Sequence, residues 1–359
     1  MKNLSSLFGF KDGDGITCPG GSFSNMLALL TARNLKFPSI KKDGNRSRDS
    51  PLVVFTSDQA HYSIKKSCMV LGMGTASLEI VPSDVEGAMR VDLLRTAIQE
   101  AKDQGKTPFF VNATAGTTVR GAYDSFSDIS EVCREFDCWF HIDACWGGSA
   151  IFSSKHKHLM SGCETADSIA WNAHKMLGVP IQTSILLMKD NQALRRANSL
   201  DDITYLFHDD DYCYDLGKKT FMCGRRGDVL KLYISWLYYG SDEFERWVDK
   251  AFDNAAYLSQ LIDQENDFEM LYGVQSVNVC FNYVPEHVKS SREQISELNK
   301  KIEEQMTREG EIFIDSNSSQ DTGMYFRVVF HSPLTSHAHI DHLLSSIRKT
   351  GEKLASNSE

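Results

Sequence analysis

The feature that most restricts the fold is an alternation of short apolar runs with amphipathic stretches between Gly15 and about Lys189. The runs predict strands at Leu52–Thr56, Leu78–Val81, Phe109–Val111, Trp139–Ile142, Ser168–Trp171 and Ser184–Met188. Several are apolar throughout, which is typical of strands covered on both faces. The stretches between them predict helices at Ser24–Arg33, Ser63–Leu71, Val91–Lys102 and Phe126–Phe136. This alternation predicts an α/β fold with a mostly parallel sheet.

The pattern changes after Asp190, where an acidic stretch, His208–Asp215, reads as a loop. It is followed by predicted helices at Asp228–Tyr239 and Phe244–Gln264, a strand near Ser276–Tyr283, a helix at Ser291–Arg308, a strand at Tyr325–Phe330 and a helix from about His337 to Lys353. Such a run is typical of a small α+β domain. A chain of 359 residues is long enough for two domains. We therefore predict a large domain over residues 1–245 and a small one over residues 246–359.

Charge and cysteine content narrow the possible partners. The chain has 38 Lys and Arg against 48 Asp and Glu, a net charge of −10, which argues against nucleic acid as a partner. Its nine cysteines include no C-x-x-C pair, which favours reduced thiols in the cytoplasm. The N-terminal stretch has no apolar signal segment, and no apolar run is long enough to span a membrane. The sequence predicts a cytoplasmic protein without a membrane partner.

Three segments carry residues suited to chemistry at one edge of the predicted sheet. Lys175 follows a predicted strand and has apolar flanks, which suits an imine-forming amine; a surface lysine is the alternative. Asp143 also follows a predicted strand, where an acid can meet a bound ligand or can cap a helix. The segment Cys18–Asn25 opens a helix after a turn, where free backbone N–H groups can hold a phosphate; an ordinary Gly-Gly turn is the alternative.

Ordered motifs from about Gly13 to Leu354 resemble one family, the pyridoxal-phosphate-dependent group II amino-acid decarboxylases. The similarity is greatest to members acting on acidic amino acids, namely glutamate decarboxylase and cysteine-sulfinate decarboxylase. The motifs are CPGGSFSN, FTSDQAHYSIKK, NATAGTTVRGAYD, HIDACWGG, ADSIAWNAHK, CGRRGDVLKL and YFRVV. The resemblance implies a large domain of aspartate aminotransferase fold type I, a small C-terminal domain, a homodimer and pyridoxal 5′-phosphate as cofactor.

The resemblance also implies a role for individual residues at the cofactor. Lys175 would attach it covalently, Asp143 would pair with its pyridine nitrogen, and His61 would stack on its ring. The other implied cofactor contacts are Gly21, Ser22 and Ser168 at the phosphate, Thr118 and Asn172 along the ring, Cys145 beneath it, and His174. The chain departs from the family pattern at Ala173, where proline is usual, and at Cys145, where alanine is usual.

Substrate and proton-donor residues are implied in the same way. Arg327 matches the arginine that binds the substrate α-carboxylate, with a structural ion pair as the alternative. Tyr212, in the loop after His208, is the expected proton donor, with Tyr214 or His174 as substitutes and a solvated loop as the alternative. The expected substrate is a small acidic amino acid: glutamate, cysteine sulfinate or aspartate.

Two other functions are compatible with the sequence. An aromatic amino-acid decarboxylase is one alternative. A second is an inactive cofactor-binding or interaction protein, because family members carry a further segment before the region that matches Gly13–Gly21, and that segment covers the active site.

The sequence motifs for a dinucleotide, calcium or zinc site are incomplete. Gly72–Gly74 lacks the rest of a dinucleotide motif, Asp12–Gly15 lacks the later ligands of a calcium loop, and the histidines near the last helix lack zinc-site spacing.

Overall fold

The computed structural model describes residues 1–200, 215–288, 291–310, 312–319 and 322–356. These residues form two compact units. Unit 1 comprises Met1–Thr118 and Ala122–Glu245, and unit 2 comprises Val119–Gly121 and Arg246–Glu359. That the units are domains with the boundary predicted above stays a prediction. Among the described helices, none is both long enough and apolar enough to cross a membrane.

Unit 1 contains a seven-stranded sheet: β1 (Asp14–Cys18), β2 (Leu52–Ser57), β3 (Leu78–Val81), β4 (Thr107–Thr114), β5 (Trp139–Ala144), β6 (Ser168–Asn172) and β7 (Ser184–Met188). The order across the sheet is β1-β7-β6-β5-β4-β2-β3. Strands β6, β5, β4, β2 and β3 run parallel, whereas β7 pairs antiparallel with both β6 and β1. The mostly parallel sheet predicted from the sequence is confirmed.

The edge strand β1 was not among the predicted strands. Its sequence, Asp14–Cys18, is too short and too polar to stand out as an apolar run. It forms because β7 offers a complete antiparallel edge, with Ile16 opposite Leu186 and Cys18 opposite Ser184. Pairing with a long-range partner therefore determines this strand, and the local sequence does not.

The helices of unit 1 are α1 (Lys2–Leu7), α2 (Gly21–Lys36), α3 (Ile40–Asp43), α4 (Ser63–Val70), α5 (Val91–Asp103), α6 (Phe126–Glu135) and α7 (Ala193–Asn198). Helix α2 packs across β4, β5, β6 and β7. It does so through a fully buried apolar face that includes Leu27, Ala28 and Leu29. Its first residue, Gly21, lies near the carboxyl ends of the parallel strands, which is the edge where ligands bind in such sheets.

A long helix, α8 (Val229–Gln264), follows in the chain and is interrupted at Gly240. The φ angle of Gly240 is 76°, in the left-handed region that residues with a Cβ rarely adopt. The interruption separates the two helices that the sequence predicts at Asp228–Tyr239 and Phe244–Gln264.

Unit 2 contains a four-stranded sheet: β8 (Phe268–Met270), β9 (Asn278–Tyr283), β10 (Asp315–Ser319) and β11 (Gly323–Val329). The order is β10-β11-β9-β8, and all neighbours are antiparallel. Helices α9 (Arg292–Glu309) and α10 (His337–Ser356) pack on each other, and α9 packs on β11. The small α+β unit predicted from the sequence is confirmed. Strands β8 and β10 were missed, since β8 has only three residues and β10 is polar.

A buried amide connects α9 to β9 in unit 2. Asn299 is fully buried, and its Oδ1 accepts a hydrogen bond from the backbone N–H of Tyr283 at 2.9 Å. Its Nδ2 donates to the carbonyls of Tyr283, at 3.0 Å, and Ile295, at 2.7 Å. Both backbone polar groups of Tyr283 therefore depend on one side chain.

We expect Asn299→Leu to lower the free energy of unfolding by about 2–4 kcal/mol, because it leaves the N–H and C=O of Tyr283 buried without this partner. The midpoint of urea unfolding, followed by circular dichroism, measures the change. Asn191→Leu is the matched control, because Asn191 is exposed and should tolerate the same substitution with little change. Equal midpoints for the two variants would contradict this account of Asn299.

Candidate active site

A cavity of about 220 Å³ lies in unit 1 beyond the carboxyl ends of the parallel strands. Its lining includes Thr114 at the end of β4, Asp143 near the end of β5 and Asn172 at the end of β6. Loops that follow these strands and β2 supply most of the remaining residues, and the first turn of α2 completes the lining. Because parallel strands end at the same edge of a sheet, residues distant in sequence meet here.

Asp143 is the buried acid of this cavity, with 5% of its surface exposed. Its Oδ2 accepts a hydrogen bond from Asn25 Nδ2 at 2.7 Å, and its Oδ1 accepts one from the backbone N–H of Cys145 at 3.1 Å. Each carboxylate oxygen thus has one donor, which sets the plane of the group. An oxygen that accepts one such bond can still accept another from a ligand in the cavity.

Lys175 lines the same cavity, three residues beyond β6. Its Nζ lies 5.7 Å from the centroid of the Trp146 ring, over the ring face. A turn brings the lysine back toward the strand end, since its backbone N–H donates to the carbonyl of Asn172 at 3.4 Å. The structure therefore places a primary amine and a buried carboxylate around one space, as the sequence predicts.

Two buried oxygen atoms of the lining have no hydrogen-bond partner among the described residues. They are Thr114 Oγ1 and Asn172 Oδ1. A buried polar atom without a partner costs about 1–3 kcal/mol. Both atoms therefore mark the cavity as a place for a polar ligand.

Gly21 brings the backbone of α2 close to the cavity. A Cβ at this position would lie 2.6 Å from Cys145 Sγ and 2.9 Å from Asn172 Nδ2, so a side chain would displace both residues. The first N–H groups of a helix have no intrahelical acceptor, and the helix dipole favours an anion beside them. Gly21 and Ser22, both in the lining, thus present a helix N-terminus suited to a phosphate.

Two histidines of the lining are held as neutral donors. Burial lowers the pKa of His61, and the charge of Asp143 opposes part of that shift. Burial also lowers the pKa of His174. His61 Nδ1 accepts from the N–H of Ser63 at 3.3 Å, and His174 Nδ1 accepts from the N–H of Thr183 at 2.9 Å. Each neutral ring therefore carries its proton on Nε2.

Cys145 and Thr118 complete the predicted residues that the structure brings to the cavity. Burial raises the pKa of Cys145 well above the usual value for a thiol, and the charge of Asp143 adds to the shift. The thiol is therefore protonated at neutral pH and weakly nucleophilic. Cys145 acts here as a small packing group against Gly21.

Ser168 is not part of the cavity, although it was predicted to hold a phosphate there. It is the first residue of β6, at the opposite end of the strand from Asn172. Its hydroxyl contacts Trp139 Nε1 at 2.9 Å and His141 Nδ1 at 2.8 Å. The prediction is corrected because a parallel strand presents its carboxyl end, and not its amino end, to the ligand.

Two further predicted residues lie elsewhere. Arg327 belongs to β11 of unit 2, where it forms an ion pair with Asp315 on β10. Its role at a substrate carboxylate stays a prediction. Tyr212 and its substitute Tyr214 lie outside the described residues, so the proton-donor prediction also stays a prediction.

Several lining residues were not predicted: Asn25, Tyr62, Thr114, Gly116 and Trp146. Tyr62 and Trp146 adjoin predicted residues, so their neighbours in sequence were a usable signal. Gly116 has a φ of 78°, and a Cβ there would lie 2.8 Å from the backbone of Gly147. Asn25 ends the motif CPGGSFSN, but the motif does not show what its side chain contacts.

The sequence of this chain is similar to those of known decarboxylases. The family model for the pyridoxal-dependent decarboxylase conserved domain matches residues 1–284. The cysteine sulfinic acid decarboxylase of Mus musculus is 39% identical over 363 residues, which cover 99% of this chain and 73% of the mouse protein. The L-aspartate decarboxylase dtxS4 of Metarhizium robertsii is 43% identical over 335 residues, which cover 91% of this chain and 66% of that protein.

A solved structure is similar to this one over nearly the whole chain. The crystal structure of mouse CSAD in apo form has a TM-score of 0.93 and 39% sequence identity, covering 98% of this chain and 74% of that one. The predicted fold class, fold type I with a small C-terminal unit, is confirmed by this similarity and by the two sheets described above. The extent of the family match, together with a lysine and a buried aspartate around one cavity, shows that the chain belongs to the pyridoxal-dependent decarboxylase family.

Proposed function

We propose that this chain decarboxylates a small acidic amino acid, namely glutamate, cysteine sulfinate or aspartate. The observation that carries the proposal is the convergence of Lys175, Asp143 and the N-terminus of α2 on one cavity, in a chain of this family. The names of similar proteins support the substrate class, since they include a cysteine sulfinic acid decarboxylase and an L-aspartate decarboxylase.

The cavity residues fit pyridoxal phosphate. The amine of Lys175 suits its aldehyde, the N-terminus of α2 suits its phosphate, and the carboxylate of Asp143 suits its ring nitrogen. The side-chain oxygens of the lining residues Thr114 and Asn172 have no partner among the described residues, which is compatible with a polar ligand. When bound, the cofactor supplies a ring that accepts the electron pair left by departing carbon dioxide.

The protein's own residues would orient the bound groups around that ring and supply a proton. Asp143 is held by donors on both oxygens and so presents a fixed acceptor. His61 is neutral and can lie against an aromatic ring without adding a charge. Tyr212 is proposed to donate a proton to the product carbon, and His174, with its proton on Nε2, is the alternative donor.

Arg327 is proposed to bind the substrate α-carboxylate. A guanidinium donates two parallel hydrogen bonds to a carboxylate, which fixes its orientation as well as its position. The side chain already pairs with the carboxylate of Asp315, so its chemistry suits such a ligand. In a chain with a net charge of −10, a local cation is needed to attract an acidic substrate.

We also propose that the protein is a cytoplasmic homodimer. On α8, Tyr233, Leu237 and Tyr238 are 62%, 73% and 80% exposed, a concentration of apolar surface that a second subunit would cover. The cysteines among the described residues are unpaired, which suits a reducing compartment.

We expect wild-type protein incubated with pyridoxal phosphate to show a visible absorbance band that Lys175→Ala lacks, because among the described residues of the cavity lining only Lys175 offers an amine. Reduction with borohydride and peptide mass spectrometry should then place the cofactor on Lys175. Lys65→Ala is the control, since Lys65 is an exposed lysine of α4 and its loss should leave the band unchanged. Absence of the band in the wild type would overturn the cofactor assignment.

The substrate class is tested by carbon dioxide release from glutamate, aspartate, cysteine sulfinate and an aromatic amino acid. We expect turnover of at least one acidic substrate and at least a hundredfold lower kcat/KM for the aromatic one. Such a ratio corresponds to about 2.7 kcal/mol of differential binding. Bound cofactor without release from any substrate would instead favour an inactive binding protein, and preferential release from the aromatic substrate would favour an aromatic amino-acid decarboxylase.

Arg327→Gln should lower kcat/KM for the acidic substrate by about tenfold to a hundredfold while leaving the cofactor band intact, because one charge-assisted contact is lost. Asp315→Asn is the control, since it breaks the same ion pair without removing the guanidinium. If both variants lose only thermal stability and keep the wild-type kcat/KM, Arg327 is a structural ion-pair residue.

A further inference from the structure

A series of buried hydrogen bonds runs along β5 of unit 1 to Asp143. Trp139 Nε1 donates to Ser168 Oγ at 2.9 Å, and Ser168 Oγ lies 2.8 Å from His141 Nδ1. His141 Nε2 lies 3.1 Å from Asn25 Oδ1, and Asn25 Nδ2 donates to Asp143 Oδ2 at 2.7 Å. Ser168 and His141 are fully buried, and Asn25 is 1% exposed.

The strand geometry accounts for the path. Trp139, His141 and Asp143 occupy alternate positions of β5 and so point to the same face of the sheet. Ser168 is the residue paired with His141 on β6. Helix α2 packs on β5 and β6 and supplies Asn25. The chain of contacts therefore lies between the sheet and α2.

The orientation of Asn25 follows from its partners. Its Nδ2 faces both the carboxylate of Asp143 and the hydroxyl of Ser63, at 2.7 and 2.9 Å. A flipped amide would place its oxygen against a carboxylate oxygen, which is repulsive. The amide oxygen of Asn25 must therefore face His141, and His141 Nε2 must carry a proton to donate to it.

The proton on His141 Nε2 determines the direction of the other hydrogen bonds in the series. Burial lowers the pKa of His141 to about 4, and the charge of Asp143 opposes part of that shift, so the ring is neutral at pH 7. A neutral imidazole with a proton on Nε2 has a bare Nδ1, which accepts from the hydroxyl of Ser168. That hydroxyl in turn accepts from Trp139. Every donor points toward Asp143.

We propose that Asn25, His141 and Ser168 are positioning residues that hold the Asp143 carboxylate in the orientation needed for the cofactor ring nitrogen. The proposal rests on the proposed function, because it assumes that Asp143 meets that nitrogen. This series of hydrogen bonds cannot pass a proton to Asp143, because the amide of Asn25 within the series does not give up a proton near neutral pH. Its effect is therefore orientation, which weakens stepwise with distance from Asp143.

The first test removes the donor nearest to Asp143. Asn25→Leu should weaken binding of pyridoxal phosphate by at least tenfold and shift the visible absorbance maximum of the bound cofactor. Asn112→Leu is the matched control. Asn112 is a fully buried asparagine opposite His141 on β4, and its Nδ2 donates to Thr56 Oγ1 at 2.9 Å and not to Asp143. This variant should lose stability but keep the wild-type affinity and spectrum.

The second test compares variants at increasing distance from Asp143 along the series of hydrogen bonds. His141→Gln keeps a donor near the position of Nε2 and should retain cofactor affinity within about threefold of the wild type, whereas His141→Leu should lose tenfold or more. Ser168→Ala, one step further away, should have a smaller effect than His141→Leu. Equal losses in the Asn25 and Asn112 variants, or no rescue by glutamine, would overturn the positioning role.

The third test needs no cofactor. In the apoprotein, ¹⁵N chemical shifts of His141 should report a proton on Nε2 and a bare Nδ1 from pH 6 to 8. A proton on Nδ1 in this range would overturn the proposed hydrogen-bond direction. Failure of the proposed function is recognised separately, because wild-type protein would then show no cofactor band. If the band is present and Asn25→Leu does not change it, the positioning role alone is wrong.

Discussion

The active site of unit 1 is organised by the burial of one carboxylate. Asp143 lies at the carboxyl end of a central strand with 5% of its surface exposed, and burying such a group is costly unless donors surround it. The donors come from the backbone after β5 and from Asn25 on α2. The packing of α2 on the sheet is thus linked to the polar needs of the site, since the same helix supplies an apolar face and an amide.

Three histidines, His61 and His174 of the cavity lining and His141 of β5, share one protonation pattern. Burial lowers the pKa of His61, His141 and His174, so all three rings are neutral at pH 7. In each ring Nδ1 accepts a hydrogen bond. The donor is a backbone N–H at His61 and His174, and the Ser168 hydroxyl at His141. The proton therefore lies on Nε2 in all three. The cavity gains two neutral donors in this way without a change in its charge.

Much of the fold could be predicted from local pattern. The six strands predicted between Gly15 and about Lys189 all form, because continuous apolar runs have few other stable arrangements in a large domain. Strands β1 and β10 were missed because they are polar edge strands that exist through their partners, β7 and β11. Ser168 was assigned to the phosphate although it begins its strand, since a motif gives the order of residues along the chain but not the edge of the sheet at which each one lies.

The sequence by itself determined the residue types of the site and their order: an aspartate at the end of a strand, a lysine shortly after another strand, and a Gly-Gly turn before a helix. It determined these because strand ends and helix starts leave local patterns of apolar and turn residues. The tertiary structure alone decided which side chains touch. Asn25 meets Asp143 across 118 positions of sequence and His141 across 116, and no local pattern encodes such contacts. They arise from the packing of α2 across β5 and β6, which brings residues distant in the chain within hydrogen-bond distance.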